Sequence, residues 1–316
     1  MAYTNIIGRA DVTDAMVPEQ EIPGILKSAT EASVIMTKAR RTAMSSKVQK
    51  QPVLATLPNA YWVNGDTGLK QTSKTTWDKI TMTAEELAVI VPIPNALIDD
   101  ANVPLWNEVK PLLGEAAGAL IDEAAVFGVN KPTSWPTALV PAATAAGNVI
   151  AAGTGDDIGV DIAMLAEKID KQGFAINGFA TRPGISWTLR SLRDTTGRPL
   201  WADAMAGTGN PGLYGLDLVE VRNGSWNAAA AELLAVDWSK VVYGVRQDIT
   251  YDLFSEGVIS DDEGKVVLNL MQQDSKALRM VMRVGFQVAV PVSRITTGTR
   301  YPAGVLTPAV LTPAGA

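Results

Sequence analysis

A chain of 316 residues that is 47% hydrophobic and 19% charged buries a sizeable core, which excludes wholesale disorder and leaves room for two lobes. Its formal net charge of −6 excludes a chain-wide field that gathers nucleic acid, and the nearest basic cluster, Lys38, Arg40, Arg41, Lys47 and Lys50, reads as a solvated face. The absence of cysteine and histidine excludes disulfides, thiolate metal sites, the Ser-His-Asp triad and most zinc chemistry, so any catalysis would fall to carboxylates or lysines.

The first residues, Met1-Ala2-Tyr3-Thr4-Asn5, lack a basic region followed by an apolar run, so no signal peptide is expected. No stretch reaches the roughly 18 apolar residues of a membrane span, and the expectation is a soluble, intracellular chain. Residues 1–18 read as an arm ending at Pro18. Ile22, Ile25, Leu26 and Ala29 then fall at helical spacing and predict a short helix over 19–31.

Residues 48–92 are rich in Thr, Val, Trp and Tyr, with Asn64-Gly65-Asp66-Thr67-Gly68 in the middle, which predicts a long β-hairpin with a wide tip. Trp62 and Trp77 lie on its two limbs and Lys70, Lys74 and Lys79 on or near the tip. A two-stranded ribbon is marginal alone in water, so it must lie on its own body or on another chain.

Pro104 opens the strongest predicted helix, 104–127, with Leu105, Val109, Leu112, Ala116 and Leu120 on the apolar face. Glu108, Glu115 and Asp122 mark the opposite, wet face, and a kink is expected at Pro111. A loop rich in Pro, Ala, Gly and Thr over 130–154 is the best lobe boundary.

Asp156-Asp157 can cap a helix that ends before Gly173, with Ile162, Leu165 and Ile169 on its apolar face. A strand over 174–180, a helix over 183–194 and a Gly- and Pro-rich loop over 195–215 follow. Further strands are expected over 216–221, 233–236, 241–245 and 249–254, with Asn223-Gly224 as a turn. The clearest signal comes last: Leu278, Met280, Met282, Val284, Phe286, Val288 and Val290 occupy every second position, with Arg279, Arg283 and Gln287 between them. The tail from Thr296 to Ala316 is expected to be flexible at its end.

The chemical motifs fail on context. Gly207-Thr208-Gly209-Asn210-Pro211-Gly212 fits the dinucleotide-binding string, but no strand precedes it and no helix follows to hold a pyrophosphate. Asp99-Asp100, Asp156-Asp157 and Asp261-Asp262-Glu263 are adjacent residues whose side chains diverge, so caps and turns explain them better than metal or acid–base chemistry.

The order of arm, short helix, long hairpin, long helix, Gly/Pro-rich lobe and long alternating strand resembles the major capsid proteins of tailed bacteriophages with the Hong Kong 97-type fold. Three stretches carry the likeness: Val17-Pro18-Glu19 with Ser33-Val34-Ile35-Met36; Ala60-Tyr61-Trp62-Val63 through Lys70, with residues 87–94 and Asp99-Asp100; and Asp274-Ser275-Lys276-Ala277-Leu278-Arg279 through Phe286 and Val290-Pro291.

The resemblance implies an α+β fold with these parts: N-terminal arm and short helix, 1–36; peripheral domain, 37–52, 88–138 and 255–300, with its spine helix at 104–127; extended loop, 53–87; axial domain, 139–254; and C-terminal tail, 301–316. It implies a self-assembling subunit, built through pentamers and hexamers into an icosahedral virion shell around double-stranded DNA. No cofactor, metal or membrane is implied. Tyr61, Trp62, Asn64, Gly65, Asp66, Lys70, Lys74 and Trp77 would reach over a neighbouring subunit. Gly207, Gly209, Asn210, Pro211 and Gly212 would face the five- or six-fold centre. Arg279 and Arg283 would lie on the last peripheral strand.

Only about eighteen residues precede the first expected helix, so a separate scaffolding protein is expected, with portal and maturation partners and assembly in the host bacterial cytoplasm. Packaged DNA would be touched only non-specifically. No asparagine follows Asn269, so the lysine–asparagine isopeptide bond of the family's type member is not expected. Two alternatives stay open: an encapsulin-type compartment shell, which shares the fold, and an enzyme without histidine or cysteine.

Overall fold

The computed structural model describes residues 33–63, 68–70, 72–101, 104–192, 212–261, 263–296 and 298–309. The expected arm, the 19–31 helix and most of the 195–215 loop lie outside the described residues. Among the described residues no helix is long and apolar enough to cross a membrane.

The elements run in chain order. Helix α1 (Val34–Lys38) leads into β1 (Arg40–Ala43), β2 (Val48–Thr56) and β3 (Thr76–Pro94). Helices α2 (Asn95–Asp100), α3 (Leu105–Asp122) and α4 (Leu139–Ala145) follow, then β4 (Val149–Ala151), α5 (Ile158–Asp170), β5 (Gly178–Thr181) and α6 (Ile185–Ser191). The rest is β-structure: β6 (Gly212–Leu213), β7 (Leu216–Glu220), β8 (Leu233–Val236), β9 (Val241–Phe254), β10 (Val258–Ser260), β11 (Val266–Asn269), β12 (Ser275–Val288) and β13 (Ala303–Thr307).

Two compact units emerge, and β3, β9, β12 and α3 contribute residues to both. The larger comprises residues 33–84, 118–245 and 285–309 of the described chain. It holds a six-stranded sheet of order β4-β13-β8-β5-β7-β6. Against it pack Ile162, Leu165 and Ile169 of α5, all fully buried, the apolar face expected from the sequence. Asp157 caps α5, its carboxylate accepting from Val160 N at 2.9 Å.

The same unit holds the ends of a five-stranded sheet, order β1-β9-β12-β3-β2, in which β1 runs parallel to β9 and β2 antiparallel to β3. Its inner face closes on Met44, Met82, Ala84 and Val242. Gly244 lets the two methionines pack close, since a Cβ would stand 2.6 Å from Met44 Sδ and Met82 Cε and would make their side chains shift.

The smaller unit comprises Glu85–Ala117 and Arg246–Val284 among the described residues. Ile93, Leu97 and Leu105 form one core in it, and Leu268, Leu270 and Ala277 another. The long alternating strand is present as β12, with Ala277, Met280, Met282, Val284 and Phe286 buried.

The structure corrects four expectations. The 130–154 stretch is not all loop: Leu139, Val140 and Ala143 bury one face of α4, and β4 pairs with β13. The stretch beyond Thr296 is not merely a tail, because β13 lies between β4 and β8 with Ala303, Val305 and Leu306 fully buried. The two strands expected at 241–254 are one continuous β9, whose polar Arg246, Gln247 and Asp248 continue the ribbon beside β12.

The spine helix shows the fourth. Its buried side runs through Leu105, Leu113, Ala117 and Ile121, whereas Leu112, Ala116 and Leu120 are exposed. Asp122, expected on the wet face, is buried. The sequence carries two apolar stripes one residue apart, and packing selects the second. The helix continues as a π-helical turn, Glu123–Phe127, stopped by Gly128 at φ 81°.

Candidate assembly surfaces

Among the described residues the most exposed large apolar side chains lie on the β2–β3 ribbon and the segment that joins its strands. Its register is fixed from Val48 opposite Thr83 to Thr56 opposite Thr76, with an irregularity at Leu54/Thr56. The Thr56 and Thr76 hydroxyls meet at 2.8 Å, and Asn59 N donates to Ser73 Oγ at 2.8 Å. Beyond them Trp62 is 99% exposed, Leu69 90% and Trp77 69%. A buried aromatic removes roughly 150–250 Å² from water, worth about 4–6 kcal/mol before ordering costs. Two indoles and a leucine left in water on one ribbon are costly apolar surface for a lone subunit.

Tyr61, Lys70 and Lys74 lie on the same exposed segment. Asn64, Gly65 and Asp66 lie outside the described residues.

Of the expected centre loop, Gly207, Gly209, Asn210 and Pro211 lie outside the described residues. Gly212 begins β6 and pairs with Asp217. Arg279 and Arg283 serve within the subunit. Arg279 reaches Asp252 at 3.0 Å and stacks over Phe254, whereas Arg283 donates through Nε and Nη2 to Glu86 at 2.8 and 2.6 Å. The arginines on the open face of β12 therefore clasp β9 and β3.

Sequence reasoning missed the buried polar knot at Asp122. Its carboxylate accepts from Ser33 Oγ (2.6 Å), Val34 N (3.0 Å), Ile35 N (3.1 Å) and Asn223 Nδ2 (2.7 Å). It thus satisfies the open N–H groups at the start of α1 from a different element. Burial pushes its pKa up, and the four donors pull it back only in part. Glu220 is the opposite case: burial raises it, but hydrogen bonds from Ser186 and Arg222 outweigh that and hold it below the usual range. Neither Ser33 nor Asn223 lies near Asp122 in sequence, so no local motif points to the knot.

A cleft of about 580 Å³ lies beside α5. Its two carboxylates are both engaged, Asp157 in the α5 cap and Glu167 with Lys171 at 2.6 Å. Among the described residues no group of three or more acidic side chains gathers to hold a metal ion.

The sequence matches the family described as "Phage capsid family" over residues 13–297. It is 28% identical over 268 residues to a protein named "Major capsid protein" from Staphylococcus phage 80alpha, covering 84% of this chain and 79% of that one. The fold is similar to a solved structure from Microbacterium phage Oxtober96, TM-score 0.84 and 38% identity, over 96% of this chain and all of the other. It is likewise similar to one from Mycobacterium phage Cain, TM-score 0.82 and 34% identity, over 98% of this chain and all of the other. The chain belongs to the phage capsid family. It is a phage major capsid protein with the Hong Kong 97-type fold and a structural component of the virion.

Proposed function

We propose that this subunit closes pentamers and hexamers into the icosahedral head shell around double-stranded DNA, that the β2–β3 ribbon makes the decisive contact by lying on a neighbouring copy, and that it performs no catalysis. The observation that carries this reading is the exposure of Trp62, Leu69 and Trp77 on one ribbon. Heterologous contacts around a ring close it, and contacts between rings close the shell. The extended loop of this reading is residues 53–87. The axial domain is 139–254 together with Ala303–Thr307, since β13 completes the sheet that β4, β5, β7 and β8 begin. The peripheral domain takes 37–52, 88–138 and most of 255–300.

A scaffolding protein, a portal and maturation partners complete the assembly, which proceeds in the host bacterial cytoplasm. DNA is held without sequence preference, consistent with a net charge of −6.

The test replaces residues 57–75 by an Asn-Gly turn between Thr56 and Thr76. The expected product is a soluble subunit that melts like the parent and forms no shells. Normal particles from this variant would overturn the role of the ribbon.

A further inference from the structure

The sequence from Ala32 to Gly65 contains five cations and no carboxylate, an imbalance in a chain that is acidic as a whole. Lys38 is spent on Asp217. Arg40 and Lys50, in contrast, are exposed and line one cleft of about 420 Å³ in the larger unit. The cleft has Thr42, Gln49 and Gln51 on its walls and the buried Met82 and Val242 on its floor, and no carboxylate lines it. Arg40 Nη2 has only the neutral Gln51 Oε1, at 3.4 Å, and Lys50 has no acidic partner among the described residues. Gln49 Oε1 is buried there with no hydrogen-bond donor among the described residues.

An occupant of this cleft has to bring a negative charge for the two cations, a donor for Gln49 and some apolar surface for the floor. A DNA backbone supplies the charge but no donor and little apolar surface. A polypeptide supplies all three.

The β10–β11 hairpin has the complementary features. Residues 256–265 carry four carboxylates and one lysine. Asp261 Oδ1 accepts from Lys265 N at 2.7 Å and shapes the turn, but Glu256 and Glu263 are exposed and unpaired among the described residues. The pairing of Ser260 with Val266 puts Val258 and Val266 on the same outer face, and both are more than half exposed. The opposite face, Ile259 and Leu268, packs with Leu270 and Ala277. The hairpin thus presents an acidic turn beside a bare apolar face.

We propose that the cleft between Arg40 and Lys50 receives the acidic β10–β11 hairpin of a second copy of this chain. This rests on the shell reading and adds to it a specific charged contact, separate from the ribbon. Cleft and hairpin are different surfaces, so wherever the pairing is not returned across a two-fold axis the contact is heterologous and passes from copy to copy.

A charge swap tests it in the full chain. Arg40→Glu with Lys50→Glu, and separately Glu256→Lys with Glu263→Lys, are each expected to leave a subunit that melts like the parent but sediments without shells. A chain carrying all four substitutions is expected to regain shells, because every cleft again meets a hairpin of opposite sign. Arg40→Gln with Lys50→Gln is the milder pair, used if charge reversal impairs folding, and is expected to weaken assembly. Normal assembly of the folded cleft or hairpin variants, or failure of the four-fold variant to regain shells, overturns the proposal. So do shells of the glutamine variant that form normally but take up less DNA, which would assign the cleft to nucleic acid. A parent chain that forms no shell in the same assay even with its scaffolding partner supplied overturns the shell reading itself, and that failure is visible before any variant is made.

Discussion

Ser33 and Asp122, 89 positions apart in the chain, meet in a buried hydrogen bond of 2.6 Å. Asp122 also accepts from the first two N–H groups of α1, so one carboxylate anchors the start of α1 to the end of the spine helix. Gly118, one turn earlier, permits this approach, since a Cβ there would stand 3.2 Å from Ser33 Cβ.

Asp122→Asn replaces one acceptor oxygen by a donor facing donors. The expected loss is about 1–3 kcal/mol in the unassembled subunit. The pH dependence has a definite sign. Burial raises the folded pKa of Asp122, so the folded state holds this proton more tightly than the unfolded state. The resulting stability is fully present below the ordinary carboxylate pKa and is lost as pH rises through the folded one. The melting difference between parent and variant should therefore be largest in acid and shrink toward neutral pH. A difference that grows with pH would contradict this account.

Trp62→Ala removes an indole that makes almost no contact within the subunit. The melting temperature should not change measurably, since exposed substitutions usually stay within about 0.5 kcal/mol. Shell formation, read by sedimentation, should weaken. A variant that melts lower and assembles normally would mean that the ribbon serves its own subunit.

Leu306→Ala tests the late strand. Leu306 is fully buried in β13 against the α5 side of the sheet, and removing its side chain should cost about 2–5 kcal/mol in urea unfolding. A loss under half a kilocalorie would return this stretch to the status of a tail.

Arg283→Ala should cost little. Both Arg283 and Glu86 keep about half of their side-chain surface in water, and such pairs contribute about 0–1 kcal/mol. A loss several times larger in a denaturant titration would show that the clasp between β12 and β3 holds the sheet.

The legible parts of the fold are those whose signals are local. Period-two alternation from Leu278 onward specified β12, Asp157 marked the start of α5, and the Thr- and Trp-rich segment around Asn64-Gly65 announced the ribbon. The illegible parts depend on distant partners. Leu112 and Leu113 are equally apolar, and only packing decides which turns inward. The Ala303–Thr307 strand needs β4 and β8, which lie far upstream, to become the middle of a sheet. Asp122 matched the spacing of Glu108 and Glu115 and was indistinguishable from them until Ser33 and Asn223 came to it. The hairpin that carries Trp62, Trp77, Lys70 and Lys74 was legible, but whether its indoles lie on the body of the subunit or in water was not. Arg279 and Arg283 were placed on the correct face, but their acidic partners on β9 and β3 were not foreseen.

The measurement that bears most directly on the central claim is cryo-electron microscopy of the purified full chain, with sedimentation in parallel. The account predicts closed shells of five- and six-membered rings in which the 57–75 segment of each copy covers a neighbour. A homogeneous monomer at all concentrations, even with a scaffolding partner supplied, would contradict it.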